Sequence, residues 1–413
     1  MKKRLSLLLA AALLLCAVFP VCAAPRVVRE PYDASGLPNT FWVSENYDRV
    51  PVTKLSANLP AVFDLRNVNG VSFVSEIRDQ GITNSCWAFS ALSCTESYLM
   101  RKAYEENGVA AQYDFSERHM EHATYPDMLD GQNPYAPAFR TPNGGGNAVS
   151  VAGYFQNGLG PVSEADMPFK NQMDVQNRAD IQFAPEASVR GMRYFPKITN
   201  SIFDYNYGEL IASIKQEIYS GGGVSAVMNV NAGAYNADGT AYYCQEVTGT
   251  ANHAITLIGW DDAFSREQFG ADKPAGDGAW IARDSAGQDA HADGYFYISY
   301  ETLDIYNMCF AVTDATYGVF YDNVYSVTSG TWAYGMGYEN NNDTAYAANT
   351  YQKQSTPELL TDISFNVRGY TEYEIYVNRN GRALSPENLT LAAKGTQDHM
   401  GFVTVTLPEP VLL

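Results

Sequence analysis

The chain has 413 residues, of which 46% are hydrophobic, so it is long enough for two or three domains with large cores. Its formal net charge of −19 and the lack of a basic patch or recognition motif argue against nucleic-acid binding, because an acidic surface repels phosphate backbones. After the N-terminus, no stretch of the sequence is long and apolar enough to predict a membrane helix.

The N-terminal stretch 1–24 predicts an export signal. Three basic residues at positions 2–4 precede an apolar run and then small residues, which indicates cleavage near residue 23 or 24. The residues before Cys16 and Cys22 are not small, which argues against a lipoprotein signal. Cleavage removes three basic and no acidic residues and takes the net charge to −22. We therefore expect a secreted or cell-surface protein.

Residues 25–59 differ in composition from the rest of the chain. They are polar and contain prolines, and their apolar residues follow no periodic pattern, with Phe41 and Trp42 as the only bulky anchor. This composition predicts a short pro-segment or an extended arm.

Residues 60–312 mix predicted helices and strands. Apolar residues from Trp87 onward recur at spacings of three, four and seven, which predicts a packed helix over residues 86–104. Shorter helices are expected near 116–122 and 208–219. Strands are predicted for GGGVSAVMNV, HAITLIGW, GAWIAR and GYFYISY, and a glycine-rich loop is predicted for TPNGGGNAVSVAGYF.

The helix over 86–104 would carry a cysteine in its first turn, within the stretch NSCWAFSALS. Unpaired N–H groups and the positive end of the helix dipole favour an anion there, so the thiolate form is stabilised. Cys86 is therefore a candidate nucleophile. The alternative is a small buried cysteine that only packs.

A cysteine nucleophile needs a base, a group that orients the base, and donors for the developing oxyanion. His253 begins an apolar predicted strand, where a polar residue can face a cleft. Asp284 follows the next predicted strand and can meet the His253 ring if the two strands are neighbours. Gln80, six residues before Cys86, offers a side-chain amide that could share the oxyanion with the Cys86 N–H.

The cysteines and histidines do not indicate a metal or disulfide framework. Four cysteines remain after removal of the signal, they follow no framework spacing, and no CxxC motif occurs. His119 and His122 lie on one predicted helix without further identifiable ligands, and a solvated or hydrogen-bonded helix face is the better interpretation. We expect neither a metal nor a cofactor.

Residues 316–413 predict a β-sandwich. Short, tyrosine-rich strands are predicted for TAYAANTYQ, LLTDISFNV and YTEYEIYVN, separated by Asn/Gly turns and without a helix signal. Because the sequence stops at LPEPVLL as a strand begins, we expect this domain to be incomplete.

The motifs of residues 60–312, in their order, resemble the papain-like (C1) cysteine peptidases. The resemblance is carried by RDQGITNSCWAFSA, FSERHMEH, GGGNA, NHAITLIGW and DSAGQDAHADGYFYISY. It implies an α+β fold with a helical left part and a barrel-like right part, Cys86 as nucleophile, His253 as general base and Gln80 at the oxyanion. It also implies that Gly145 and Gly146 offer backbone hydrogen bonds to a polypeptide substrate. The tail from YDNVYSVTSGTWAYGMGYENNNDTAYAANTY onward resembles the lectin-like β-domain of some bacterial members, which implies a glycan or cell-surface ligand.

The chain departs from the family pattern at residues 284–286. The family's asparagine is replaced by Asp284, which can accept the His253 N–H equally well and whose charge favours the imidazolium. The family's shielding tryptophan is replaced by Ala286, so we expect water to reach the pair and to limit the effect of Asp284 to less than about one pH unit.

These departures leave two alternatives to an exported cysteine endopeptidase that works through a Cys86 acyl-enzyme. The first is a weakly active or inactive relative that acts in adhesion or glycan binding through the β-domain. The second is a transpeptidase, because an amine could replace water as the acyl acceptor.

Overall fold

The computed structural model describes residues 27–29, 59–124, 144–170, 185–195, 207–246, 251–318, 321–326, 336–338, 344–354, 357–367, 369–379 and 386–413. The predicted export signal and most of the predicted pro-segment lie outside the described residues. No helix in the described ranges has the length and apolar character needed to cross a membrane.

The described elements confirm a mixed α+β fold. The α-helices among them are α1 (Cys86–Asn107), α2 (Glu117–Ala123), α3 (Ala148–Gln156) and α4 (Tyr207–Ser220). The strands are β1 (Val27–Arg29), β2 (Val62–Asp64), β3 (Ala187–Phe195), β4 (Val224–Met228), β5 (Ala241–Tyr242), β6 (His253–Asp261), β7 (Ala279–Arg283), β8 (Tyr295–Ser299), β9 (Cys309–Tyr317), β10 (Met336–Tyr338), β11 (Leu359–Val367), β12 (Thr371–Val377), β13 (Thr390–Gln397) and β14 (Gly401–Leu412).

The chain forms two compact units. In the smaller unit, residues 1–39 and 334–349, β1 pairs antiparallel with β10. In the larger unit, ten strands form one sheet in the order β11-β14-β3-β9-β4-β6-β7-β8-β5, with β2 paired to β6. β12 and β13 form a separate antiparallel pair in the same unit.

Helix α1 is the central helix of the larger unit. It is predicted correctly from its apolar spacing, and it is buried around most of its circumference from Trp87 to Met100. It packs against β6, β9 and β4. The core beside it is built from apolar side chains of the sheet and of α4, including Trp260, Trp280 and Phe296. Because a helix buried around most of its circumference cannot shift without opening this core, its first turn has a fixed place relative to the sheet.

The C-terminal strands continue the sheet of the preceding residues. β14 pairs with β11 along its length and with β3 through Gly401–Val403. A Cβ at Gly401 would lie 1.8 Å from the Met192 carbonyl oxygen, and its φ of 146° also requires glycine. Arg190 of β3 reinforces the junction with an ion pair to Asp362 of β11 at 2.9 Å.

Three parts of the secondary-structure prediction are wrong. The stretch LPEPVLL does not begin a strand, because β14 starts at Gly401 and ends at Leu412. The predicted strand TAYAANTYQ, residues 344–352, has no regular structure and is exposed throughout, because it has no buried face to pair and pack. The predicted loop TPNGGGNAVSVAGYF contains α3, whose side chains from Ala148 to Phe155 are buried. Asn147 caps this helix by accepting from the N–H groups of Val149 and Ser150 at 3.0 and 3.1 Å, which offsets the unfavourable glycines before it.

Candidate active site

Cys86 is the first residue of α1, as the sequence predicts. It is partly exposed, and all four cysteines described, Cys86, Cys94, Cys244 and Cys309, are free thiols. The N-cap residue Ser85 makes no side-chain capping bond, so its hydroxyl does not occupy the N–H groups of the first turn. The thiol therefore lies at a helix end that favours negative charge.

Hydrogen bonds of Ser90 join this end of α1 to the sheet. Ser90, one turn after Cys86, donates to the carbonyl of Ile255 in β6 at 2.7 Å and also bonds Ser225 of β4 at 2.7 Å. Ile255 stands two residues after His253. The same attachment that fixes α1 therefore brings the Cys86 thiol close to the start of β6, where it is one of the groups that raise the pKa of His253.

Antiparallel pairing of β6 and β7 brings His253 and Asp284 to the same end of the sheet. Thr256 pairs with Arg283, so the residue after Arg283 lies beside the start of β6. Nε2 of His253 lies 2.7 Å from Oδ1 of Asp284, and the Ser285 N–H donates to the same oxygen at 2.7 Å. With Nε2 committed to Asp284, Nδ1 is the ring nitrogen that remains for Cys86.

Electrostatic interactions favour the charged forms of His253 and Asp284. Burial lowers the pKa of His253, but the hydrogen bonds to Asp284 and Cys86 outweigh it and raise this pKa to about 10. Burial raises the pKa of Asp284, and the hydrogen bonds from His253 and from a second histidine, His291, outweigh it and hold this pKa below its usual value. His253 is therefore an imidazolium and Asp284 a carboxylate at neutral pH.

Gln80 is held beside Ser285, the residue that follows Asp284. Its backbone N–H donates to the Ser285 carbonyl at 2.8 Å, and its side-chain Oε1 accepts from the Ser285 hydroxyl at 2.6 Å. Nε2 of Gln80 donates to the Thr83 carbonyl at 2.7 Å. Because an amide nitrogen carries two protons, this bond leaves one N–H for another acceptor.

The expected exposure of the His253–Asp284 pair does not occur. The Asp284 side chain is 6% exposed and that of His253 is 16% exposed, although Ala286 is small. His291 covers the other side of the carboxylate, with Nε2 2.9 Å from Oδ2 of Asp284. His291 thus shields the second oxygen of Asp284 from solvent.

His291 is the site residue that the sequence prediction missed. It lies within DSAGQDAHADGYF, seven residues after Asp284 in an irregular loop, where no periodicity indicates its direction. A histidine seven residues after the predicted acidic orienter was the available signal.

The histidines of α2 are not near a metal-binding cluster. His119 is buried and its Nδ1 lies 2.7 Å from the Tyr154 hydroxyl, while Nδ1 of His122 lies 2.8 Å from the Arg118 carbonyl. Both are therefore hydrogen-bonded helix residues and neither is solvated. No group of three or more His, Cys, Asp or Glu residues that could hold a metal occurs in the described ranges.

Gly146 lies against Trp87, the residue that follows the thiol, and Gly145 precedes Gly146 in the same loop. Gly145 has a φ of 77°, and a Cβ at Gly146 would come within 2.3 Å of the Trp87 indole ring. Glycine at 146 therefore allows the loop backbone to lie directly on the tryptophan that follows Cys86.

We expect Gly146→Ala to lower the free energy of unfolding by about 1–3 kcal/mol and to reduce kcat/KM, because the rigid indole cannot yield to the added carbon. Urea unfolding and peptide-hydrolysis kinetics measure the two effects. Gly208→Ala is the matched control, since a Cβ at Gly208 in α4 meets nothing within 4 Å. Wild-type stability and kinetics for Gly146→Ala would show that the loop does not need this contact.

Comparison with known proteins identifies the family. Residues 59–319 match the model of the papain family of cysteine proteases, and residues 324–413 match that of a lectin-like domain. Cysteine proteinase 1 of Entamoeba histolytica is 27% identical over 64% of this chain and 70% of its own length. Cathepsin M of Mus musculus is 23% identical over 64% of this chain and 67% of its own.

A solved structure shares the arrangement of both regions. The cysteine protease and lectin-like domains of Cwp84, a surface layer associated protein of Clostridium difficile, superpose with a TM-score of 0.70 at 20% identity, covering 92% of this chain and 81% of that one. The fold and the family models confirm the resemblance seen in the motifs. The chain belongs to the papain family of cysteine proteases and is a cysteine peptidase that carries a lectin-like domain after its peptidase domain.

Proposed function

We propose that this protein is an exported cysteine endopeptidase that hydrolyses polypeptides through an acyl-enzyme on Cys86. The observation that carries the proposal is the 2.7 Å contact of His253 Nε2 with the Asp284 carboxylate, and the effect of the Cys86 thiol on the pKa of His253 supports it. A thiolate at a helix N-terminus with an imidazolium beside it forms the ion pair that a cysteine nucleophile requires.

In the proposed reaction, the Cys86 thiolate attacks the substrate carbonyl and forms a C–S bond. The resulting oxyanion accepts hydrogen bonds from the Cys86 N–H and from the second N–H of Gln80 Nε2. His253 then protonates the leaving amine as the C–N bond breaks, which leaves the acyl group on sulfur. In the second half, neutral His253 takes a proton from water, whose oxygen attacks the thioester and releases the acid.

The remaining groups position the reactants. Asp284 accepts the Nε2–H of His253 and keeps Nδ1 directed toward the thiol. The backbone of Gly145 and Gly146 holds an extended substrate chain beside Trp87, which the close approach of Gly146 to the indole supports. The domain limits we propose are 60–312 for the peptidase and 316–413 for the lectin-like domain.

The N-terminal and C-terminal regions support a location for the protein and a ligand other than the peptide substrate. The predicted signal over residues 1–24 supports export, and the similar Cwp84 is described as surface layer associated. We therefore place the protein outside the cytoplasm or at the cell surface. The match of residues 324–413 to a lectin-like domain supports a glycan ligand for that region.

A thiol-directed epoxide tests the proposal directly. Incubation should add one inhibitor per chain, on the peptide that contains Cys86, and fluorogenic dipeptide hydrolysis should fall in proportion to labelling. Cys244, which is also free and partly exposed, serves as an internal control that should stay unlabelled. Labelling without any hydrolysis before inhibition would support the inactive relative, and amide products formed with added amines would support the transpeptidase.

Asp284→Asn should lower the alkaline pKa of the kcat/KM profile. The thiolate–imidazolium pair exists below the pKa of His253, which is about 10, and is lost as pH rises through it. Removing the carboxylate charge removes a principal cause of that raised pKa, so we expect a downward shift of about one to three pH units. The low exposure of Asp284 makes this larger than the sequence predicts. An unchanged alkaline limb would show that Asp284 does not act on the base.

A further inference from the structure

His291 has two hydrogen-bond acceptors, one at each ring nitrogen. Nε2 lies 2.9 Å from Oδ2 of Asp284, and Nδ1 lies 2.7 Å from the carbonyl oxygen of Gly239. Neither an ionised carboxylate nor a carbonyl can donate a hydrogen bond. A neutral imidazole carries a single N–H and would leave one ring nitrogen facing an oxygen lone pair. The geometry therefore requires the doubly protonated imidazolium form of His291.

The surroundings of His291 hold the ring in this position. It stacks on Tyr235 with centroids 5.2 Å apart and contacts Phe296 at 4.6 Å. The side chain is 14% exposed, and its backbone has a φ of 56°, a conformation that histidine tolerates better than most residues. Packing thus fixes the ring plane, and the two N–H groups fix its direction.

The ionisable groups around the ring have opposing effects on it. Burial lowers the pKa of His291, and so does repulsion from the His253 imidazolium. The hydrogen bonds to Asp284 and the Gly239 carbonyl, together with attraction to the carboxylate, outweigh both and raise the pKa. Tyr235, whose own pKa is raised by burial, stacks on the ring as a neutral phenol. One carboxylate is therefore shared by two imidazolium rings.

We propose that His291 is a positioning residue of the peptidase, which as an imidazolium ties Oδ2 of Asp284 to the Gly239 carbonyl and so keeps Oδ1 on His253. A carboxylate bonded only through Oδ1 could rotate about its side-chain torsions and release the base. The second bond removes that freedom, because both oxygens now have fixed donors. The inference rests on the proposed catalytic role of Cys86 and His253.

The charge of His291 can be measured without catalysis. In Cys86→Ala protein, NMR titration of the ring nitrogens should show His291 doubly protonated at neutral pH, with a pKa above its ordinary value of 6.5. Adding Asp284→Asn should lower that pKa, whereas the ring signals of His122 in α2 should not move. A His291 ring that is neutral at pH 6.5, or a pKa unaffected by Asp284→Asn, would overturn the proposal even if the peptidase mechanism is correct.

The effect on catalysis is tested with three variants of His291. His291→Phe keeps an aromatic ring but removes both donors, and His291→Asn suits the positive φ but is too short to bridge Asp284 and Gly239. Each should lower kcat/KM about tenfold, mostly through kcat, the loss expected for one hydrogen bond to a charged group. Glutamine, which can still donate to Asp284, should recover part of the loss.

Each His291 variant is compared at equal folded fraction by circular dichroism. Wild-type kcat/KM in both the phenylalanine and asparagine variants would contradict the positioning role. Equal loss in all three, without recovery by glutamine, would also contradict it, because it would show that the loop structure and not the donor matters. If Cys86→Ala retained activity instead, the proposed function would fail while the NMR result would still decide the charge of His291.

Discussion

Replacement of Cys86 by alanine is expected to reduce peptide hydrolysis by roughly 10⁴-fold or more while leaving the fold intact. The variant has no nucleophile, so the acyl-enzyme cannot form, and only binding and the oxyanion donors remain. The structural cost is small, because Cys86 is partly exposed and alanine suits the first turn of a helix. The measurement is kcat/KM on a fluorogenic peptide, with thermal unfolding followed in parallel.

Cys244→Ala is the matched control for this experiment. It removes another free, partly exposed thiol, whose sulfur lies 3.7 Å from the Glu246 carbonyl and takes no part in the His253 network. Its kinetics should equal those of the wild type. Retention of wild-type turnover by Cys86→Ala would instead mean that another group is the nucleophile.

His253→Ala is expected to have the second largest effect. It removes the proton donor for the leaving amine and the cation that pairs with the thiolate, so kcat/KM should fall by roughly 10³-fold or more. The thiol itself should also respond. Alkylation of Cys86 by iodoacetamide at pH 6 should slow at least about tenfold, because the imidazolium no longer favours the thiolate.

His399→Ala is the control for the loss of a histidine, since His399 lies between β13 and β14 and bonds Gln397. It should leave both alkylation and hydrolysis unchanged. Alkylation of Cys86 at the wild-type rate in His253→Ala protein would show that the thiol is activated by the helix end or by another residue, and the proposed ion pair would have to be abandoned.

The candidate site contains a fourth side chain, His291, in addition to Cys86, His253 and Asp284. Asp284 lies between two histidines, and its buried carboxylate receives N–H donors on both oxygens. Asp284 thereby orients His253, and the bond from His291 holds Asp284 in place. The rings of His253 and His291 bond different oxygens of the carboxylate, and all three side chains are largely buried.

One hydrogen-bonded sheet joins the two regions. β14 of the lectin-like region pairs with β3, and β3 pairs with β9, which packs against the helix that begins at Cys86. The lectin-like strands therefore belong to the same sheet as the strand that packs against this helix.

The sequence alone determined the family, and it predicted the chemical groups of the candidate site. Cys86, His253 and Gln80 are predicted from specific local contexts: the start of a helix, the start of a strand and a six-residue spacing. The buried helix α1 was predictable because its apolar spacing is strong. Asp284 followed from its place after the next strand, since antiparallel neighbours bring such residues together.

Only the tertiary structure decided three features: the position of His291 beside Asp284, the low exposure of the site, and the pairing of β14 with β3. His291 lies in an irregular loop, where side-chain direction depends on contacts with Tyr235 and Phe296 from distant parts of the chain. The pairing of β14 with β3 joins residues about two hundred positions apart, and it depends on the close approach at Gly401. Local sequence carries no signal for such contacts, because they are selected by packing of the whole unit and not by the propensity of any one segment.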